Sequence, residues 1–177
     1  MQRHRQNVGF TLVELLIVIV VIAILAAVTI VAYNGVTKKA KVSALTAGLQ
    51  QVDQSLRMWA IDNGYSTWPT DPVHDGGTSL NTMIQNDPSL KRYLNAVPAV
   101  AGVQTEDWQY DNEGDTRSNC SDPHNGVNII VRYMDDSSIA QGVDNALDDG
   151  DLNCGRIEFS DHNILFFSID YDQIIGN

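Results

Sequence analysis

Residues 10–33 read FTLVELLIVIVVIAILAAVTIVAY, and this run decides the architecture. It is 24 residues long and holds one ionisable group, Glu14. A bilayer core about 30 Å thick is crossed by roughly 20 apolar residues rising 1.5 Å each in a helix, so the run can span with some tilt. It is long for the apolar core of a secretory signal. No small-x-small cleavage pattern closes it, AILAA at Ala23–Ala27 being the nearest imitation. A charged side chain in hydrocarbon costs on the order of 3 kcal/mol on insertion scales, so an acid there marks a functional position. The plain alternative is a protonated Glu14 idling at the membrane edge, since it lies only five residues into the run.

The preceding residues, MQRHRQNVG, are short and basic, and the junction reads GFTLVELL from Gly9 to Leu16. This block resembles the class III signal of the type IV pilin family. Tyr33 and Lys38-Lys39-Ala40-Lys41 fit the same pattern, and the resemblance covers roughly residues 1–60. It implies that a membrane prepilin peptidase cuts between Gly9 and Phe10 on the cytoplasmic side, leaving the apolar run in the mature protein. It implies N-methylation of the new Phe10 amine and an assembly role for Glu14. It also implies a single-pass inner-membrane precursor with a cytoplasmic N terminus, handed to an inner-membrane assembly platform and ending in an extracytoplasmic filament or at the cell surface. The chemistry agrees, because a new amine cation in an apolar setting can be compensated by a carboxylate one helical turn away, on the same or a neighbouring subunit. Loss of Arg3 and Arg5 with the leader takes the formal charge from −11 to −13.

Two positions depart from the family pattern. Val31 stands where many pilins have a proline, and Ala23 where a glycine is common. Loosening of the helix must then come from its β-branched run or from Asn34-Gly35. Flanking charge is ambiguous on orientation: Arg3 and Arg5 lie at one end, Lys38, Lys39 and Lys41 at the other. The motif, not the count, places the remainder outside the cytoplasm.

Past the apolar run, Val42, Leu45, Leu49, Val52, Leu56 and Trp59 follow a 3-4-3-4-3 spacing. The seam predicts continuation of the same helix to about Asp62, stopped at Asn63-Gly64, with its apolar face on the protein's own sheet. Such a helix from Phe10 would be roughly 80 Å long.

The 177 residues carry 22 acidic and 11 basic side chains, distributed unevenly. Residues 1–62 are net +3 and residues 63–177 net −14. So acidic a second half repels phosphate backbones, and no direct nucleic-acid binding is expected. Turn residues crowd Trp68–Pro72 and Asp75–Gly77. Helical stretches are predicted near Leu80–Ile84, with Thr78 as N-cap, and near Ser89–Leu94. Strands are predicted at Asp107–Tyr110, Val127–Met134, Arg156–Phe159 and Ile164–Tyr171, the last a central strand buried on both faces. A helix near Ser138–Leu147, capped by Asp135-Asp136 with Ser137, interrupts them. The predicted fold is α+β and pilin-like, a long N-terminal helix on an antiparallel sheet. Its parts are a leader at 1–9, a transmembrane and filament-core segment at 10–33, an amphipathic segment at 34–62 and an acidic globular head at 63–177.

Cys120 and Cys154 lie in the part that the resemblance places outside the cytoplasm. A disulfide is expected there, two buried thiols being the alternative. Many pilins carry a disulfide-bounded segment near the C terminus, whereas pseudopilins of secretion systems more often lack it. Asp149-x-Asp151-x-Asn153 begins like an EF-hand loop, but Cys154 replaces the glycine and Ser160 the twelfth-position glutamate. These three are calcium candidates only in a looser carboxylate loop; a solvated helix end and turn is the ordinary reading, and no cofactor is expected.

No phosphate loop, dinucleotide glycine motif, nucleophile elbow or two-histidine zinc pattern is present, and His4, His74, His124 and His162 lack ligand spacing. The sequence reads as a filament subunit rather than an enzyme, with copies of itself or other pilins, the peptidase, the assembly platform and membrane lipid as partners. The alternatives are a type II secretion pseudopilin and a monomeric membrane-tethered binding domain.

Overall fold

The structure, a computed structural model, describes residues 10–64, 68–72, 77–112, 127–132, 134, 136–160 and 163–169. Gly9, Cys120, Asp135, the four histidines and the end of the last expected strand at Tyr171 lie outside the described residues. The chain divides into two units, 1–38 and 39–177.

Helix α1 spans Leu12–Asp62 and contributes to both. It contains no proline. A glycine in a helix interior costs about 1 kcal/mol, too little to break a helix of 51 residues, and α1 runs unbroken through Asn34-Gly35. The helix stops where expected. Gly64 takes φ +95, and the amide and side chain of Asn63 both donate to the Trp59 carbonyl, at 3.1 and 2.8 Å.

In the second unit, α1 buries Leu45, Gly48, Leu49, Val52, Ser55, Leu56, Trp59 and Ala60, with Val42 half-buried beside them. They share one core with a five-stranded, wholly antiparallel sheet of β1 (Thr78–Ser79), β2 (Trp108–Asp111), β3 (Val127–Val131), β4 (Ile157–Ser160) and β5 (Ile164–Ile169). The order is β1-β2-β3-β5-β4. This is the α+β arrangement expected. The nearly continuous apolar β5 lies inside the sheet, between β3 and β4, while β3 holds the middle place and is buried at every residue. The buried amide of Asn128 in β3 is satisfied across the ladder, its Oδ1 accepting from Ser168 Oγ of β5 at 2.7 Å. Asn163, at φ +59, closes the β4–β5 hairpin in a left-handed conformation that asparagine tolerates.

Helices α2 (Leu80–Asn86) and α3 (Ser137–Leu147) pack onto the same core. Three details correct the sequence reading. Thr78 does not cap α2: it lies in β1, its hydroxyl donates to Asp71, and Ser79 takes the N-cap position without a side-chain bond. The stretch after Pro88 forms only a 3-10 turn, Leu90–Arg92. Val127–Met134 shortens to Val127–Val131, after which Arg132 donates its amide to the Asp107 carbonyl rather than extending the strand. Asp136 does cap α3, its Oδ1 accepting from the Ser138 amide at 3.0 Å.

The connection from α1 is pinned by side chains. Tyr110 Oη and Asn112 Nδ2 both donate to the Pro69 carbonyl, at 2.8 and 2.9 Å. Burial, with the Asp71 carboxylate nearby, pushes the Tyr110 phenol up, so it remains a neutral donor. Trp59 Nε1 donates to Ser89 Oγ at 2.8 Å, and Ser89 Oγ donates onward to Asp87 at 2.6 Å.

Candidate functional site

The described chain begins with Phe10, Thr11 and then α1, so the expected assembly residues lie at a helix N terminus. Such an end leaves its first amides without intrahelical partners. Thr11 Oγ1 accepts from the Glu14 amide at 3.2 Å, and Glu14 Oε2 accepts from the Thr11 amide at 2.8 Å. The Thr11 hydroxyl also donates to Glu14 Oε2 at 2.7 Å. This is a capping box: the N-cap threonine and the acid three residues on satisfy each other's amides. Thr11 is a site residue that the sequence reading passed over, although T-x-x-E before an apolar run is itself a readable signal. Phe10 is 86% exposed. Gly9, the other side of the expected cleavage point, is outside the described residues.

Eighteen large hydrophobic side chains between Phe10 and Val36 are exposed, on every face of the helix. Burying one such side chain is worth about 1.5–3 kcal/mol, so leaving all of them in water forgoes roughly 30–50 kcal/mol. That exceeds the roughly 5–15 kcal/mol by which a whole domain is stable. The segment therefore needs lipid or protein around it. Its polar groups suit either: Thr29 Oγ1 donates to the Leu25 carbonyl at 2.5 Å, and Thr37 Oγ1 to those of Tyr33 and Asn34 at 3.1 and 3.0 Å. Helix α1 is long and apolar enough to cross a membrane.

The second set of expected residues lies in the loop after α3. Asp149 Oδ1 accepts from the Asp151 amide at 2.9 Å, and Asp151 Oδ1 accepts from the amide and side chain of Asn153, both at 3.1 Å. These are successive local turns. Asp149 also lies close to Asp144 and Asp148, whose carboxylate oxygens lie within 4.8 Å of its own and of each other. Asp144 is wholly buried, and neither of its carboxylate oxygens meets a hydrogen-bond partner. Burial pushes its carboxyl up to about 6; the nearby Gly150 amide tempers this without reaching bonding geometry, and Asp148, Asp149 and Asp151 add to it. Cys154 is half-buried in the same loop, its amide donating to the Asp151 carbonyl at 2.9 Å. No cysteine among the described residues is free.

The family model for the prokaryotic N-terminal methylation motif matches residues 7–30. The chain is 33% identical over 98 residues to the type IV major pilin protein PilE of Neisseria gonorrhoeae, covering 55% of this chain and 53% of that protein. It is 46% identical over 63 residues to the type IV wide pilus major component PilA4 of Thermus thermophilus, covering 36% and 48%. It is 32% identical over 97 residues to a fimbrial protein of Neisseria meningitidis, covering 55% and 52%. The chain thus spans about half the length of the curated relatives it matches, and no solved structure matches it. It carries the prokaryotic N-terminal methylation motif and resembles type IV pilins over about half of its length.

Proposed function

We propose that this chain is a structural, non-enzymatic subunit of a type IV pilus-like filament. It is inserted in the inner membrane, cut between Gly9 and Phe10 by a prepilin peptidase, N-methylated at Phe10 and polymerised through α1. The observation that carries this reading is the helix segment apolar on every face and interrupted by one acid, Glu14, at its start. Lipid covers that surface before assembly, and the same segments of neighbouring copies cover it afterwards. Repeated contacts that do not close on themselves produce an open helical polymer. Glu14 meets the Phe10 amine of a neighbour and fixes the axial stagger, because an ion pair in a dry setting specifies register more surely than it adds stability. A Cys120–Cys154 disulfide closes the C-terminal part of the head, restraining the unfolded chain by roughly 3–4 kcal/mol. Adhesion, motility or DNA uptake would follow from the filament, with no direct DNA contact by the acidic head.

The test separates the two jobs of Glu14. Glutamine retains the capping box but not the charge. Glu14→Gln precursor is expected to be inserted and processed normally and to yield few or no sheared surface filaments, as is Glu14→Ala. Wild-type filament levels from Glu14→Gln would remove the ion-pair argument. Mass spectrometry of purified surface filaments is expected to find the chain beginning at a methylated Phe10; a chain still carrying its first nine residues would overturn the processing step.

A further inference from the structure

Acidic residues in a loop are ordinary, but Asp144 is not in the loop. It lies in α3, three residues before the helix ends, wholly buried, with both carboxylate oxygens unpartnered. Buried polar groups in folded proteins are nearly always hydrogen-bonded, and buried charges are paired or bind metal. The groups nearest in kind are two more acids, Asp148 one helical turn on and Asp149 beside it, each with an oxygen within 4.8 Å of Asp144. No cation of the described chain is bonded to any of the three.

We propose that Asp144, Asp148 and Asp149 together bind one calcium ion. The donors are all carboxylate oxygens, which suits a hard cation rather than zinc or copper. Calcium–oxygen distances are about 2.3–2.6 Å, so oxygens within 4.8 Å of one another can share a single ion. Each residue has capacity left. Asp144 offers both oxygens. Asp148 spends Oδ2 on the Ile157 amide at 3.0 Å and keeps Oδ1; Asp149 spends Oδ1 on the Asp151 amide and keeps Oδ2. Asp149 is exposed, which leaves that side open to the waters that complete a calcium shell. Magnesium holds its ligands near 2.1 Å in strict octahedral geometry and fits the wider spread less well.

The surrounding backbone is shaped around these side chains. Gly155 takes φ +117, and a Cβ there would run into the Asp148 carboxylate; Gly150 takes φ +93 beside Asn145 Oδ1. Asp148 is bonded to the first residue of β4, so an ion seated here ties the end of α3 to the sheet across the loop that carries Cys154. The set shares Asp149 with the Asp149, Asp151 and Asn153 pattern but takes its other two ligands from Asp144 and Asp148; Asp151 Oδ1 is engaged with the amide and side chain of Asn153.

The full-length chain in detergent micelles, stripped with a chelator and then dialysed, is the sample. Calcium chloride about one hundredfold above its dissociation constant is expected to raise the melting midpoint by about 5–10 °C, and calorimetric titration to give one site. Asp144→Asn and Asp149→Asn are expected to melt cooperatively without calcium and to lose the calcium shift; Asp151→Asn is expected to retain it. No shift in the wild type, an equal shift with magnesium at the same concentration, or a shift surviving in Asp144→Asn would each overturn the assignment. Should Asp144→Asn fail to fold, Asp149→Asn, altered at an exposed position, decides by the same readout.

Discussion

Gly142 in α3 faces Val42 of α1 so closely that a Cβ on it would stand 2.7 Å from Val42 Cγ2 and 3.0 Å from Cγ1. Carbon atoms prefer about 3.5–4.0 Å, so Gly142→Ala is short by nearly 1 Å. Valine in a helix is held near one side-chain rotamer, and Val42 cannot swing both methyls away. Overpacking of this kind costs about 1–3 kcal/mol. Against it, alanine in place of glycine favours a helix by about 1 kcal/mol. The expected net effect is a loss of about 1 kcal/mol. In a Val42→Ala background the methyls are gone and the nearest remaining atom, Cβ, stands at 3.4 Å, an ordinary contact. There Gly142→Ala should stabilise by up to about 1 kcal/mol. The substitution therefore changes sign with its neighbour, and the coupling between them is about 1–3 kcal/mol, well beyond what independent sites show. Urea melts of the full-length chain in micelles, followed by tryptophan fluorescence, measure all four corners of the cycle. If Gly142→Ala has the same effect in both backgrounds, the close seat of α3 on α1 is refuted.

Gly9→Val should leave an uncut precursor at the membrane, read as an unprocessed mass. Cys120 and Cys154 should take up two alkyl labels only after reductant; labelling before it would exclude the bond. Asp87→Ala should cost about 0.5–2 kcal/mol at pH 7, since Asp87 Oδ1 accepts from the Ser89 amide, the Ser89 hydroxyl and the Leu90 amide. Burial pushes the Asp87 carboxyl up, but those three bonds outweigh it and hold the group below its usual value of 3.8. A depressed folded value gives a contribution complete above the unfolded value and lost as pH falls through the folded one, so the gap between wild type and variant should close below about pH 3.8. A gap that persists in strong acid would argue against the carboxylate as its source.

What the sequence discloses divides by the range of the interaction. The α1 seam was legible because period-3.6 burial is written residue by residue: Leu45, Leu49, Val52, Leu56 and Trp59 all enter the core. The apolar content of β5 likewise announced a strand inside the sheet. The two-residue β1 was not legible, for Thr78 and Ser79 are strand only because Tyr110 and Gln109 pair with them. Thr78 had the credentials of an N-cap, but a distant acid, Asp71, took its hydroxyl. The Asp149, Asp151 and Asn153 pattern showed only part of the acidic cluster, for a related reason. Alternate spacing brings ligands together in an EF-hand loop, whereas here Asp149 and Asp151 each accept from the amide two residues on, and the acids that converge with Asp149 are supplied by α3 and its C-cap. Thr11 was legible as well, because T-x-x-E ahead of an apolar run makes Glu14 the third residue of a capped helix.

That second identity of Glu14 bears on its proposed role in assembly. A bare carboxylate in lipid would carry a large desolvation cost, relieved abruptly by a partner amine. In this chain the carboxylate already accepts two bonds from Thr11, so part of that cost is met before any neighbour arrives. The gain on meeting the amine of another subunit is then a difference between two sets of bonds, smaller than an ion pair formed from nothing. A small difference suits the proposed task. The bulk of the proposed driving force lies in the eighteen exposed hydrophobic side chains, which are only weakly selective of axial position because they are spread along the whole segment from Phe10 to Val36. Only a directional contact at one height can choose among their many near-equal registers, and Glu14, the single acid between Phe10 and Asp53, is the group able to make that choice.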